Sequence, residues 1–125
     1  MDWRDLERFA FGDSPAMADE LADLVLKGVK RATCWVAGPE ETTSVGERMV
    51  MCDGAGRPRA VLETVELALR RFDDVDAAFA HDEGEGDRSL AYWQQAHREF
   101  FSRTGVFAPD MLLWCERFRV VEVIA

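Results

Sequence analysis

LKGVKRATCW, residues 26–35, reads as the end of a helix running into a strand, and it places an amine, Lys30, three residues before a hydroxyl, Thr33. Working upstream, GDSPAMADELADLVLKG (12–28) carries marks of both helix ends. Ser14 is a candidate N-cap and Pro15 suits the first helical position. Asp19 and Glu20 sit near the start, where the helix dipole favours acid. Met17, Leu21, Leu24 and Val25 repeat with the 3.6-residue period. Lys27 lies near the end and Gly28 fits the left-handed position that closes a helix. Downstream, VKRATCWV (29–36) has the β-branched and aromatic content of a strand.

The rest of the chain alternates in the same way. GPEETTSVGE (38–47) is a polar loop, RMVMC (48–52) a short apolar strand, and DGAGRP (53–58) turn chemistry. RAVLETVELAL (59–69) is a strand, so the runs on either side of the turn predict a hairpin. FDDVDAAFA (72–80) predicts a short helix and HDEGEGD (81–87) a loop. DRSLAYWQQAHREFFSRTG (87–105) predicts a second strong helix. Asp87 or Ser89 caps it, Leu90, Trp93, His97, Phe100 and Phe101 share a face, and Gly105 ends it. MLLWCERFRVVEVIA (111–125) predicts a long strand. Strands in adjacent runs, without regular crossover helices, favour an antiparallel or mixed sheet. The expected fold class is α+β: a small curved sheet or β-barrel with helices packed at its side.

With 125 residues, the chain fits one domain spanning 1–125 and can bury a core without staples. No run of about 18 apolar residues predicts a membrane span. MDWRDLERF (1–9) lacks the apolar stretch of a signal peptide, so a cytoplasmic location is the default expectation. Cys34, Cys52 and Cys115 are widely spaced in apolar surroundings, which predicts buried reduced thiols rather than disulfides or zinc ligands. The formal net charge of −9 argues against tight binding to long nucleic-acid backbones, including long double-stranded DNA. The acid is uneven, however. Residues 73–87 hold seven of the 24 acids and no Lys or Arg, so the remainder is nearly balanced and a confined basic patch is allowed.

Lys30 and Thr33 form a candidate activated nucleophile. Lysine acts as a base only when its neutral form is reachable, and the neighbouring Arg31 could help depress its pKa. A charged Lys30 could instead hold a carbonyl oxygen or a developing oxyanion. On a straight strand, residues three apart point to opposite faces, so the pair needs a bend after Gly28. Glu83 and Glu85 lie among glycines before a helix, where acids could act as a general base or bind a cation. Helix capping by Asp87 beside a solvated acidic loop explains the same residues. No calcium-loop pattern is present, and two distant histidines make a zinc hydrolase site unpromising. His97 reads as a hydrogen-bonded core residue. Trp35, Trp93 and Trp114 could stack on a base or fill the core.

The combination resembles the ASCH domain family, within the PUA-like superfamily. The resemblance rests on FGDSPAMADELADLVLKGVKRAT (11–33), VGERMVMCDGAGRPRAVLET (45–64), FAHDEGEGDRSLAYWQQAHREFF (79–101) and LLWCERFRVVEV (112–123). Its most specific pieces are G-x-K-x-x-T (Gly28, Lys30, Thr33) and the EGEGD loop (83–87). The resemblance implies a small β-barrel flanked by helices, with a cleft lined by the G-x-K-x-x-T segment. It associates two activities with such domains. Some small bacterial members are amidohydrolases that remove acyl groups from the N4 of cytidine; the mechanism expected for this chain requires no metal or cofactor. Others are proposed RNA binders, and a ribonuclease activity is proposed for a bacterial member. The implied catalytic set is Lys30, Thr33 and a glutamate that best matches Glu85, with Glu83 the alternative. Gly28, Arg31, Trp35 and Glu83 are the expected substrate contacts. The expected partner is a modified pyrimidine nucleoside or RNA. A non-catalytic reader would use Lys30, Arg31, Arg57 or Arg59 on phosphate. The second helix and the Trp114 strand could carry a homodimer face, although core packing explains them equally.

Overall fold

The computed structural model describes residues 2–38 and 43–124. Two features raised above fall partly outside them: the loop read over 38–47 includes 39–42, and the last strand was read to residue 125.

Among the described residues the chain forms three α-helices against a five-stranded mixed sheet. The strands are β1 (Arg8–Phe9), β2 (Ala32–Val36), β3 (Arg48–Cys52), β4 (Pro58–Arg71) and β5 (Leu112–Val123), in the spatial order β1-β3-β4-β5-β2. The β3–β4, β4–β5 and β5–β2 pairs are antiparallel, and only β1 runs parallel to its neighbour β3. Among the described residues nothing pairs β1 with β2, so the sheet is barrel-like but not closed. Register shifts at Met51/Cys52, Val61/Leu62 and Thr64/Glu66 supply the bulges by which a sheet curves.

The helices are α1 (Pro15–Leu26), α2 (Ala77–Glu83) and α3 (Leu90–Arg103). The Ser14 hydroxyl accepts from the Met17 N–H at 3.1 Å with Pro15 at the first helical position, as the sequence predicts. Ser89, rather than Asp87, caps α3 by accepting from the Tyr92 N–H at 3.0 Å. Gly28 has φ +79°, the left-handed conformation that stops α1. A short 3₁₀ turn at Trp3–Asp5 and the two-residue β1 were not legible in the sequence.

One difference bears on the site. His81, Asp82 and Glu83 are the last turn of α2, not loop. Asp76 caps its start, and Gly84, at φ +75°, ends it one residue after Glu83. The sequence reading took the acids and glycines together as one loop. The consecutive acids Asp82 and Glu83 do not stop a helix; the left-handed Gly84 does.

The two faces of the sheet bury different clusters. Ala32, Leu113 and Cys115 pack with Phe72, Phe79, Trp93 and Phe101 from the α2–α3 side. Met51, Ala60, Leu62 and Phe118 pack with Ala22 and Val25 of α1, with Phe9 and Phe11 alongside. Each buried Val, Leu, Phe or Met among them contributes about 1.5–3 kcal/mol of apolar burial. The lysine-bearing segment 29–31 crosses from α1 to β2 at the seam between these clusters.

Candidate active site

The segment Val29–Arg31 is pinned from three sides. The Val29 and Lys30 N–H groups donate to the Leu24 carbonyl at 3.0 and 3.1 Å, continuing the cap of α1. The Arg31 N–H donates to the Asp82 carbonyl at 2.6 Å, and the Arg31 carbonyl accepts from the Phe118 N–H at 3.0 Å. Gly84 packs so tightly here that a Cβ would lie 2.6 Å from the Val29 carbonyl oxygen. Glycine at 84 thus serves twice, as a left-handed cap and as the only side chain small enough to let α2 touch this backbone.

That contact brings Glu83 and Glu85 to Lys30. The lysine is 2% exposed. Its ammonium donates to the Ala32 carbonyl at 2.8 Å, to Glu85 Oε2 at 3.0 Å, and to both Glu83 Oε1 and the Glu83 carbonyl at 3.3 Å. It also stands 5.3 Å from the centre of the Phe11 ring. Burial by itself would lower the Lys30 pKa. The carboxylates of Glu83 and Glu85 outweigh it and hold the amine above its ordinary range. Lys30 is therefore a charged group with three protons committed to four acceptors, not a neutral base. Arg31 does not act on it in the way considered from the sequence. The Arg31 guanidinium is exposed and bonds Asp82 Oδ1 at 2.8 Å.

The two glutamates differ in freedom. Glu83 is 2% exposed, and both its oxygens are engaged. Oε1 faces Lys30, while Oε2 accepts from the Trp93 indole N–H and from the Cys34 thiol. His97 Nε2 lies 3.5 Å from the same Oε2, its ring stacked on Trp93 and its Nδ1 2.9 Å from the Trp93 carbonyl. Glu85 is half-buried at the mouth, and the Lys30 ammonium is the hydrogen-bond donor to it among the described residues.

Cys34, Glu83 and His97 bring three ligand-type atoms within 4.8 Å of one another. Their chemistry does not suit a cation. Burial first, and then the Glu83 charge, push the Cys34 thiol well above its ordinary range, so a cation would first have to displace its proton. The indole N–H and the lysine ammonium, moreover, point at the carboxylate that would have to bind the ion.

Two adjoining cavities open beside this cluster. One, of about 630 Å³, is walled by Lys30, Glu83, Glu85, Met17, Tyr92 and His97 among others. The second, of about 390 Å³, lies over the α1-side face of the sheet, with Phe9, Phe118, Thr64 and Glu116 in its wall. Phe11, Gly12, Thr33, Cys34 and Trp35 line both. Lys30 and Thr33 thus share a wall. Lys30 itself precedes the regular strand, which begins at Ala32.

Of the residues expected to contact substrate, Trp35 and Glu83 line the larger cavity and Gly28 and Arg31 line neither. Gly28 is a chain-reversal residue. Arg57 and Arg59, considered as phosphate contacts, pair instead with the buried Asp53 at 3.0 and 3.5 Å. Trp93 is core, but its N–H belongs to the site through Glu83. Two features were missed from the sequence. Phe11 carries no local signal of its role, and Glu116 stands within a long strand of β-branched and aromatic residues.

A family model described as "ASCH domain" matches residues 7–122, and the chain belongs to that family. The fold is likewise similar to solved structures. The ASCH domain of Lactobacillus crispatus JV V101 is 38% identical, with a TM-score of 0.86 over 93% of this chain and 79% of that one. A protein of Enterococcus faecalis V583 is 31% identical, with a TM-score of 0.84 over 96% of this chain and 82% of that one. No curated protein matches the chain. Among the described residues no helix is long and apolar enough to cross a membrane.

Proposed function

We propose that this ASCH domain is a metal-independent amidohydrolase that removes the acyl group from N4-acetylcytidine or a related N4-acylcytosine compound. The supporting observation is the shared wall: Thr33 lines the same cavity as a buried, charged lysine and a half-exposed carboxylate.

In this reading the Thr33 oxygen attacks the acyl carbon and its proton passes to Glu85. The tetrahedral oxyanion forms close to the Lys30 charge. Because the Lys30 protons are already shared among Ala32, Glu83 and Glu85, the lysine acts by its field and by holding Glu85 at the cavity. Collapse breaks the C–N4 bond, the proton on Glu85 goes to N4, and cytidine leaves. Water then attacks the acyl-threonine ester, giving one proton to Glu85. Release of the acid returns that proton to Thr33. Glu85 is the proton carrier because it is free to change partners. Glu83, bonded at both oxygens, fixes Lys30.

The alternative, a non-catalytic RNA or nucleotide reader, finds less support. Arg31, Arg57 and Arg59 are each paired with an aspartate, and the net charge is −9. A phosphate reader would also lose affinity steeply with salt, whereas hydrolysis of a neutral nucleoside would not. The covalent step is tested by quenching the reaction with N4-acetylcytidine and mapping peptides by mass. An acyl group on the Thr33 peptide supports the reading. Full turnover with no adduct at any quench time removes Thr33 as nucleophile.

A further inference from the structure

Glu116 lies directly across the β2–β5 ladder from Thr33, on the same face of the sheet. It lines the smaller cavity, the one that meets the Lys30 chamber at Thr33 and Trp35. Behind it runs a relay of buried hydroxyls. The Thr64 hydroxyl donates to Glu116 Oε2 at 2.5 Å, and the Thr43 hydroxyl stands 3.0 Å from that of Thr64. With Thr64 donating forward, Thr43 donates to Thr64, so the chain of hydroxyls has one direction. It holds Oε2 and leaves Oε1 without a hydrogen-bond partner among the described residues.

Resting on the pyrimidine substrate class proposed above, we infer that Glu116 is the base-reading residue of the site, donating a hydrogen bond as a neutral carboxylic acid to an acceptor on the pyrimidine ring edge. The remaining walls suit a flat ring: Phe9, Phe11, Trp35 and Phe118 are apolar and aromatic. The acyl group then reaches past Thr33 towards Glu85. Burial raises the Glu116 pKa, the Thr64 hydroxyl lowers it, Glu47 raises it and Lys30 lowers it, for a net upward shift. Glu7 and Arg8 are the other charged groups in the cavity wall.

The test is binding of cytidine, the product, followed by NMR titration against pH above the range where cytidine itself protonates. Binding needs no turnover, so a failed hydrolase assay and a failed role for Glu116 are told apart. Wild-type affinity is expected to fall as pH rises through the Glu116 pKa. Glu116→Gln, which keeps a donor and cannot ionise, should bind with no such fall. Glu116→Ala should bind about tenfold more weakly at low pH, the worth of one buried hydrogen bond. Wild-type-like binding by folded Glu116→Ala would overturn the inference. So would affinity that rises with pH and is lost in Glu116→Gln, because the reader would then be the carboxylate. Should Glu116→Ala fail to fold, the pH profiles of wild type and Glu116→Gln decide alone.

Discussion

Lys30 Nζ lies 3.3 Å from Glu83 Oε1, with both side chains 3% exposed or less. Removing either charge strands the other in a low-dielectric setting, which costs more than the pair itself contributes. Lys30→Met should therefore destabilise the fold by about 3–5 kcal/mol, measured by urea denaturation. Adding Glu83→Gln should return part of that loss. The folded Lys30 pKa lies above its unfolded value, so the ammonium's contribution is whole at neutral pH and is lost only as alkali titrates the folded amine. Equal loss in the single and double variants would mean that packing, not charge, sets the cost.

Gly84 is the hinge between scaffold and site. Gly84→Ala puts a Cβ against the Val29 carbonyl and forces a left-handed φ on alanine. A destabilisation of about 1–3 kcal/mol is expected, together with lost turnover, because α2 must retreat from Lys30 and carry Glu83 and Glu85 with it. Gly28→Ala meets open space and should cost only the backbone strain, with turnover retained. Assay of both variants beside their denaturation curves checks the contrast.

The three thiols should be slow to alkylate. Burial raises the pKa of each, Cys115 to about 12, and Cys34 faces the Glu83 charge as well. Thiol titration at neutral pH should show slow modification in the folded protein and rapid modification in denaturant. Fast labelling of Cys34 in the native state would contradict the protonated thiol on which its unsuitability as a metal ligand rests. A matching prediction concerns chelators: prolonged treatment with EDTA should leave turnover unchanged, and a sharp loss restored by added metal would refute the metal-free mechanism.

Glu116 also leaves a mark on stability. Its folded pKa is raised, so the folded state holds the proton longer than the unfolded chain. Stability falls as pH rises from the unfolded value to the folded one. Glu116→Gln lacks that loss, so its stability relative to wild type should improve from acid to neutral pH. Parallel melting curves at several pH values would show it, and a constant difference would not fit.

What was legible in the sequence was local. Ser14, Pro15 and Gly28 mark α1 because caps act within a few residues, and G-x-K-x-x-T fixes the junction. The β3–β4 hairpin is readable for the same reason, since turn and strands are contiguous. The glutamate partners of Lys30 are not, because they arrive from more than 50 residues away. Nothing in HDEGEGD distinguishes a buried acid from a solvated one. Only the Gly84 contact with Val29 assigns Glu83 to the interior and Glu85 to the mouth. Glu116 left a signal, a lone acid between Cys115 and Phe118 on the buried part of a strand, but its meaning depends on the ladder pairing that sets it opposite Thr33.

The most direct test is chromatographic: wild type, Thr33→Ala and Lys30→Ala, each shown to be folded, incubated with N4-acetylcytidine and assayed for cytidine. Conversion by wild type and its loss in both variants is the predicted result. Folded wild type that converts none of several N4-acylcytidines, or Thr33→Ala that converts them at the wild-type rate, would contradict the account.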